Sequence, residues 1–458
     1  MRKSLFLIVA ILVSWRGNNL SGAQPSEQAA QWQVGYAETD TTPRPGQVMM
    51  AGYGRERHAE GTIAPLRAQA LALQDRSGKT ALLITADVLG FDRGSVDAVR
   101  YKIQQAHHIP PEAVCLSASH THWGPAINYR MNFALGGLNV WYLASLESAL
   151  LKVADGALKD LSPAAINYGA CEAQIGVNRR LKNKNGQFTM SPNPEGGYDK
   201  HTPVLRIVRQ RSPKQIVLAG HACHPTSTGN VDKWSSEYPG TMRQKLETTL
   251  EDCRAMFVMG CGGDAKVVWR DEKTGRSVFA ASPEQSQAGG IRLADAALAF
   301  LKKDALSALD AELHTSLVSG ELSFRPPRSR AEIEKMALGG NVGASNTWWA
   351  RQSLAYPDDR RTQYYEVQAW RLGELTIVAL EGEVCSDWGG ITRAMAKTKH
   401  AMVIAYANNC PGYIPTARII REGGYEGDTS HMAYFLPAPF DPRMETELRR
   451  LVEKAIGR

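Results

Sequence analysis

Apolar residues along this chain gather in short dense runs separated by polar or glycine-rich turns. Ala81–Ala86, Ile216–Ala219, Met256–Met259, Leu375–Leu380 and Met402–Ala405 are such runs, and the residues around Val114–Ala118 read the same way. Runs of that length and composition predict buried strands. Elsewhere apolar positions recur every three to four residues, over Val96–Ala106, Trp141–Leu158, Thr241–Leu250, Ile291–Lys302 and Met444–Ile456. That period predicts amphipathic helices. Strands alternating with helices predict an α/β or mixed α+β layered fold, with central mixed sheets flanked by helices. The polar stretch Leu181–Asp199 and the Gly-rich stretch Leu338–Asn346 read as irregular loops of the kind that line or cover sites. No internal repeat, low-complexity tract or long linker interrupts the pattern.

One apolar run falls outside this scheme. Met1-Arg2-Lys3 is followed by an apolar stretch from Leu5 to Trp15, then by Ser21-Gly22-Ala23. A basic start, an apolar segment about half the length of a bilayer span and a small-residue site predict a signal peptide over 1–23, cleaved before Gln24. The chain is then expected to be secreted or periplasmic, with a mature portion of 24–458 and no stable membrane span. The whole sequence of 458 residues has 43% hydrophobic and 22% charged residues, ordinary for a chain that buries a full core. This excludes a disordered, collagen-like or polytopic membrane protein. Its formal charge of +7 falls to +4 without the first 23 residues, which hold three basic and no acidic side chains. So small a charge with mixed signs throughout predicts no nucleic-acid partner. The seven cysteines are odd in number and form no CxxC pair, so buried free thiols are expected.

Candidate chemistry follows the strands. Val114–Ala118 leads into Ser119-His120-Thr121-His122-Trp123-Gly124-Pro125, and Ile216–Gly220 into His221-Ala222-Cys223-His224-Pro225-Thr226. Leu375–Leu380 ends in Glu381-Gly382-Glu383, and Met402–Ala405 in Tyr406-Ala407-Asn408-Asn409, with Tyr413 shortly after. Loops leaving the carboxyl ends of strands in layered α/β folds converge on one crevice. Histidines with a carboxylate are a common ligand set for zinc with one position left for water. If His120 and His122 continue their strand, both side chains project to one face. Alternatively, His221 and His224 are a pair at a helix start, satisfied by backbone, and Glu383 is a solvated carboxylate. His107-His108 reads as a solvated helix end.

Taken together, several segments resemble one family. They are Thr85-Ala86-Asp87, His120-Thr121-His122-Trp123-Gly124-Pro125, His224-Pro225-Thr226-Ser227, Gly263-Asp264, Gly382-Glu383, and Gly412-Tyr413 followed by Gly424-Tyr425-Glu426-Gly427. The combination resembles the amino-terminal catalytic domain of the neutral/alkaline non-lysosomal ceramidases, in blocks from about Gly35 to Gly427. The resemblance implies a zinc site at His120, His224, Glu383 and Tyr413, with His221 a candidate behind the ligands. It also implies that His122, Arg179 and Tyr425 handle the scissile amide and the acyl group. Such a set suits activation of water at neutral pH for attack on an amide carbonyl. His122, with an ordinary pKa near working pH, suits movement of the proton.

The function expected from the resemblance is an exported zinc amidohydrolase cleaving an N-acyl bond in a small or lipid-like substrate. The alternatives are a zinc esterase or deacetylase on a small or sugar acyl compound, and a non-catalytic binding protein of the same fold. Two departures bear on substrate. Lys266 stands in Gly263-Asp264-Ala265-Lys266-Val267 where ceramide-cleaving members carry serine, and the bulky Trp123 adjoins His122. If both face the pocket, Trp123 narrows the acyl path and Lys266 favours a polar or anionic group. With Arg458 last, the chain is expected to lack the carboxyl-terminal immunoglobulin-like domain of full-length members.

Overall fold

The computed structural model describes residues 32–52, 57–128, 138–339 and 344–457, so the signal segment expected at 1–23 lies outside the described residues. In chain order the first strands are β1 (Trp32–Asp40), β2 (Arg67–Gln74), β3 (Thr80–Ala86), β4 (Val114–Ala118), β5 (Ser162–Glu172), β6 (Gly176–Lys182) and β7 (Phe188–Asn193). Next come β8 (His201–Arg209), β9 (Gln215–His221), β10 (Cys253–Met259), β11 (Ala265–Arg270), β12 (Ser277–Phe279) and β13 (Ser307–Ala308). The last are β14 (Leu313–Ser323), β15 (Thr362–Leu372), β16 (Leu375–Leu380), β17 (Glu383–Val384), β18 (His400–Ile404) and β19 (Tyr413–Ile414).

A mixed sheet of nine strands runs β10-β9-β8-β5-β1-β2-β3-β4, with β13 added beside β5. Its outer pairs, β3 with β4 and β9 with β10, are parallel. Strands covered on both faces read as unbroken apolar runs, which is why these were visible in the sequence. The antiparallel interior strand β5 alternates instead. In β5, Ala164, Ile166 and Tyr168 are buried and the residues between them are half-buried.

The two faces of β9 show the layering. Ile216 and Leu218 join the core under helices Arg93–His107 and Val140–Lys159, with Val99, Ile103, Leu150 and Val153. Val217 and Ala219 join the core under helices Glu237–Thr249 and Pro283–Leu301, with Met242, Leu246, Leu293 and Ala297. A second sheet, β14-β15-β16-β18, is covered by the helix Met444–Ala455, whose Leu448, Leu451 and Val452 meet Leu322, Tyr365 and Val367. The fold is thus the expected mixed α/β arrangement of helices on central sheets.

Two loop expectations change. Leu181–Asp199 is not irregular: β7 turns back on β6 as an antiparallel hairpin, and the Asn183 side chain accepts from Asn185 N and Gln187 N at the turn. With none of its residues fully buried, β7 carries no apolar alternation to reveal the strand. In Leu338–Asn346, a helix already begins at Ala344, and 340–343 lie outside the described residues. All seven cysteines are free, and burial pushes the Cys115 thiol up to about 12. Among the described residues no helix is long and apolar enough to cross a membrane.

The helix Val140–Lys159 crosses β1 at Gly35, where a Cβ would lie 1.8 Å from Ala157 O and 2.9 Å from Leu161 N. Both obstacles are backbone and cannot rotate away. Gly35→Ala is therefore expected to cost at least about 1–3 kcal/mol in urea unfolding, the range of overpacking. Gly197→Ala, which meets nothing within 4 Å, serves as the control. Equal stability of the two variants would contradict this packing.

Candidate metal centre and active site

Four loops at carboxyl ends of strands bring the candidate residues together. The strand β4 ends at Ala118, and the chain turns sharply, because His120 adopts φ +64° in the left-handed region. His120 and His122 therefore do not continue the strand. The turn, pinned by His120 N donating to Val88 O, carries both rings into the crevice instead. His221 closes β9, and His224 lies beyond it on an isolated bridge to Lys266, so neither starts a helix. Glu383 and Tyr413 are direct partners in the parallel pair β17–β19. Beyond β18, Tyr406 also takes a left-handed conformation, φ +52°.

The ring nitrogens converge. Nε2 of His120 lies 3.0 Å from Nε2 of His224 and 3.3 Å from Nε2 of His122. Ligand atoms of the three histidines lie within 4.8 Å of one another. Glu383 Oε2 approaches Nε2 of His120 at 3.3 Å and of His224 at 3.1 Å. The other ring nitrogens face backbone carbonyls: Nδ1 of His120 meets Leu89 O, and Nδ1 of His224 meets Gly262 O at 3.1 Å. If each Nδ1–H donates there, both Nε2 atoms present lone pairs to a carboxylate oxygen that itself lacks any hydrogen-bond donor. Ligand atoms gathered this closely in a buried space could hold a metal ion between them. The donor set thus fits a divalent metal, and two imidazoles with a carboxylate suit zinc.

Burial sets the protonation states. It holds His224 down to about 3, helped by the Arg179 charge and by His120. Burial, then His120 and His224, hold His122 well below its ordinary value. Both rings are neutral bases at neutral pH.

Beside this centre, Arg179 Nη2 donates to Tyr413 Oη at 2.8 Å, and Arg179 Nε to Glu426 Oε1 at 2.7 Å. The guanidinium lies over the rings of Tyr413 and Tyr425, at 5.5 and 5.9 Å from their centroids. Burial raises both tyrosine hydroxyls above their ordinary value. The sequence-based residues His120, His122, His224, Glu383, Tyr413, Arg179 and Tyr425 therefore form one connected group.

Two expectations change here. His221 turns toward the sheet rather than the centre: its Nδ1 lies 3.0 Å from Thr202 Oγ1 and its ring packs edge-on to Tyr198. Trp123 does not narrow the pocket. It is fully buried among Val48, Met50, Leu66 and Trp234, with Nε1 donating to Val231 O at 2.7 Å. Arg57 lies over its ring, 5.4 Å from the centroid. Lys266, by contrast, does adjoin the site. Burial and Arg179 lower its ammonium to about 8.

Sequence reading assigned no role to Glu426 or Tyr406. Glu426 holds both Arg179 and Arg180, and Tyr406 Oη lies 3.3 Å from His224 Nδ1, with its ring 4.3 Å from that of His120. The signals were present, since Tyr406 leaves an apolar strand and Glu426 adjoins Tyr425.

The family model for the amino-terminal domain of neutral/alkaline non-lysosomal ceramidase matches residues 32–289. Among solved structures, the chain is similar to a ceramidase complexed with C2, at 17% identity and a TM-score of 0.73, over 93% of this chain and 75% of that one. It is also similar to the neutral ceramidase of Pseudomonas aeruginosa, at 18% identity and a TM-score of 0.74, over 93% and 74% of the two chains. At these identities the structural likeness is one of fold. No curated protein sequence matches the chain.

Two buried histidines outside the centre make an acid-side test. Burial pushes His221 and His431 each down to about 4, against about 6.5 in the unfolded chain. Between those values the unfolded state binds more protons, so stability falls as pH drops below about 6.5 and levels off near 4. Each ring contributes up to about 1.4 kcal/mol per pH unit in that window. In urea unfolding at about pH 7 and about pH 5, His221→Asn is expected to show a shallower loss than wild type. An identical slope would remove His221 from the acid response.

Proposed function

Because the chain belongs to the neutral/alkaline non-lysosomal ceramidase family, we propose that it is an exported zinc-dependent amidohydrolase that cleaves an N-acyl bond. The observation that carries this reading is the meeting of three imidazole nitrogens with the donorless Glu383 Oε2 in one buried space. In the proposal residues 24–458 form the catalytic domain, and 1–23 direct the chain out of the cytoplasm.

His120, His224, Glu383 and Tyr413 hold the ion. Tyr413 is the least usual donor, and the Arg179 guanidinium at its hydroxyl favours the phenolate. Zinc, when bound, polarises a carbonyl and lowers the pKa of water to about 7. The remaining work belongs to side chains. His122, kept neutral by burial, takes a proton from the attacking water and delivers it to the amine nitrogen as the C–N bond breaks. Tyr425 donates to the oxygen on which negative charge develops, and Arg179 adds its fixed charge. Glu426 and the two tyrosine rings hold that guanidinium in place, so little reorganisation is needed during the reaction.

Zinc added to metal-free protein is expected to raise its unfolding free energy, by about 2.7 kcal/mol at a hundredfold excess over Kd. His224→Ala should abolish that gain. His122→Ala should keep it while turnover of an N-acyl substrate falls roughly 10²–10⁴-fold. A His122→Ala protein that no longer takes up zinc would make His122 a ligand instead of the proton carrier.

A further inference from the structure

Among the described residues, the arginines beside the centre are paired within the protein. Arg179 and Arg180 share Glu426, and Arg180 also reaches Glu422. Glu237, buried close by, accepts from the backbone and hydroxyl groups of Ser227 and Thr228 and from Ser286 Oγ. Lys266 remains. Its Nζ lies over the Phe279 ring, 4.9 Å from the centroid, and among the described residues no carboxylate lies within ion-pairing distance of it.

Strand register sets where this ammonium points. Lys266 of β11 lies directly opposite Val177 of β6, and side chains two residues apart share a face, so Arg179 is on the same face. Phe279, opposite Val268 of β11, is on that face too. Lys266 is also the bridge partner of His224. The ammonium therefore shares the side of this small sheet that carries Arg179 to Tyr413 and the metal centre. An apolar acyl tail lying against a half-buried ammonium would desolvate it without a partner, which is costly. A substrate group that is polar and negative is therefore the one matched to Lys266.

We propose that Lys266 binds a carboxylate on the amine portion of the substrate, which makes N-acyl amino acids the substrate class of this site. This rests on the amidohydrolase reading. The reaction is a hydrolysis: the oxygen of water bonds the acyl carbon, the C–N bond breaks, and a proton from water ends on the amine nitrogen. The products are a fatty acid and a free amino acid, with no redox partner.

The test compares N-dodecanoylglycine with N-dodecanoylethanolamine on zinc-loaded full-length protein. The two share an acyl chain and differ in the carboxylate. Cleavage is followed by released amine, and binding by calorimetry on zinc-loaded His122→Ala. Wild type is expected to favour the glycine conjugate in kcat/KM by about 10–100-fold, the effect of a hydrogen bond to a charged group. Lys266→Met should collapse that ratio to within about threefold, chiefly through KM. Lys266→Arg should retain it, and Lys266→Gln replaces the Met variant if that one does not fold. A wild type without preference, or a preference that survives in Lys266→Met, overturns the assignment and leaves amide hydrolysis standing. Cleavage of neither compound, with a binding preference that Lys266→Met loses, supports the role of Lys266 and overturns the amidohydrolase reading.

Discussion

A buried carboxylate oxygen set against two imidazole nitrogens, on rings whose far nitrogens face backbone carbonyls, is the constraint on which the rest of this structure depends. Glu383 is 3% exposed, and a charge taken that far from water is tolerated only when paired. Leu89 O and Gly262 O fix the rings by occupying their far nitrogens. Those carbonyls in turn are held by the segments after β3 and β10. The ligand atoms are therefore aimed by backbone drawn from both cores, which is how a protein keeps mutually repelling acceptors together before a cation arrives.

Reaching that point costs regular conformation. His120 and Tyr406 take left-handed backbone, at φ +64° and +52°, where L side chains are uncommon. Gly382, at φ +82°, has the residue suited to such a turn, and its Cβ would also lie 2.6 Å from Gly412 O. Strain gathers where strands end and side chains must leave the plane of the sheet. The ladder Ala118 N to Tyr406 O, Tyr406 N to Gly382 O and Glu383 N to Gly412 O stitches these turns to one another. No single turn is free to relax while the others hold.

How much of this was legible in the sequence follows from the same physics. Doubly covered strands such as β16 are unbroken apolar runs and can be read directly. The hairpin β6–β7 has no buried face to impose alternation along β7, so its strand character was hidden. His120, His224 and Glu383 stood out as ligand-type residues just past strand ends. Trp123 and His221 misled because sequence adjacency says nothing of direction. The turn that points His122 inward sends the next residue, Trp123, into a separate small core. His221, still within β9, points to Thr202 across the sheet. Which side of a turn a residue takes is decided by long-range packing, not by spacing.

The motifs themselves divide in the same way. In His224-Pro225-Thr226-Ser227, the histidine faces the centre. Ser227 and Thr228 instead donate to Glu237, a residue with φ +58° at the head of its helix. Likewise Asp264 accepts from Ser386 N at 2.7 Å and from Asn178 Nδ2 at 3.3 Å, tying the segment after Glu383 to the strand that carries Arg179. These carboxylates touch no ligand atom of the centre, yet each spans segments far apart in sequence. Removing one would leave buried donors unsatisfied, the costly half of any hydrogen bond. Much of what makes the motif recognisable is therefore the scaffold that aims the few reactive atoms, and a residue outside that scaffold, such as Lys266, is where change can alter what the site receives without disturbing how it is held.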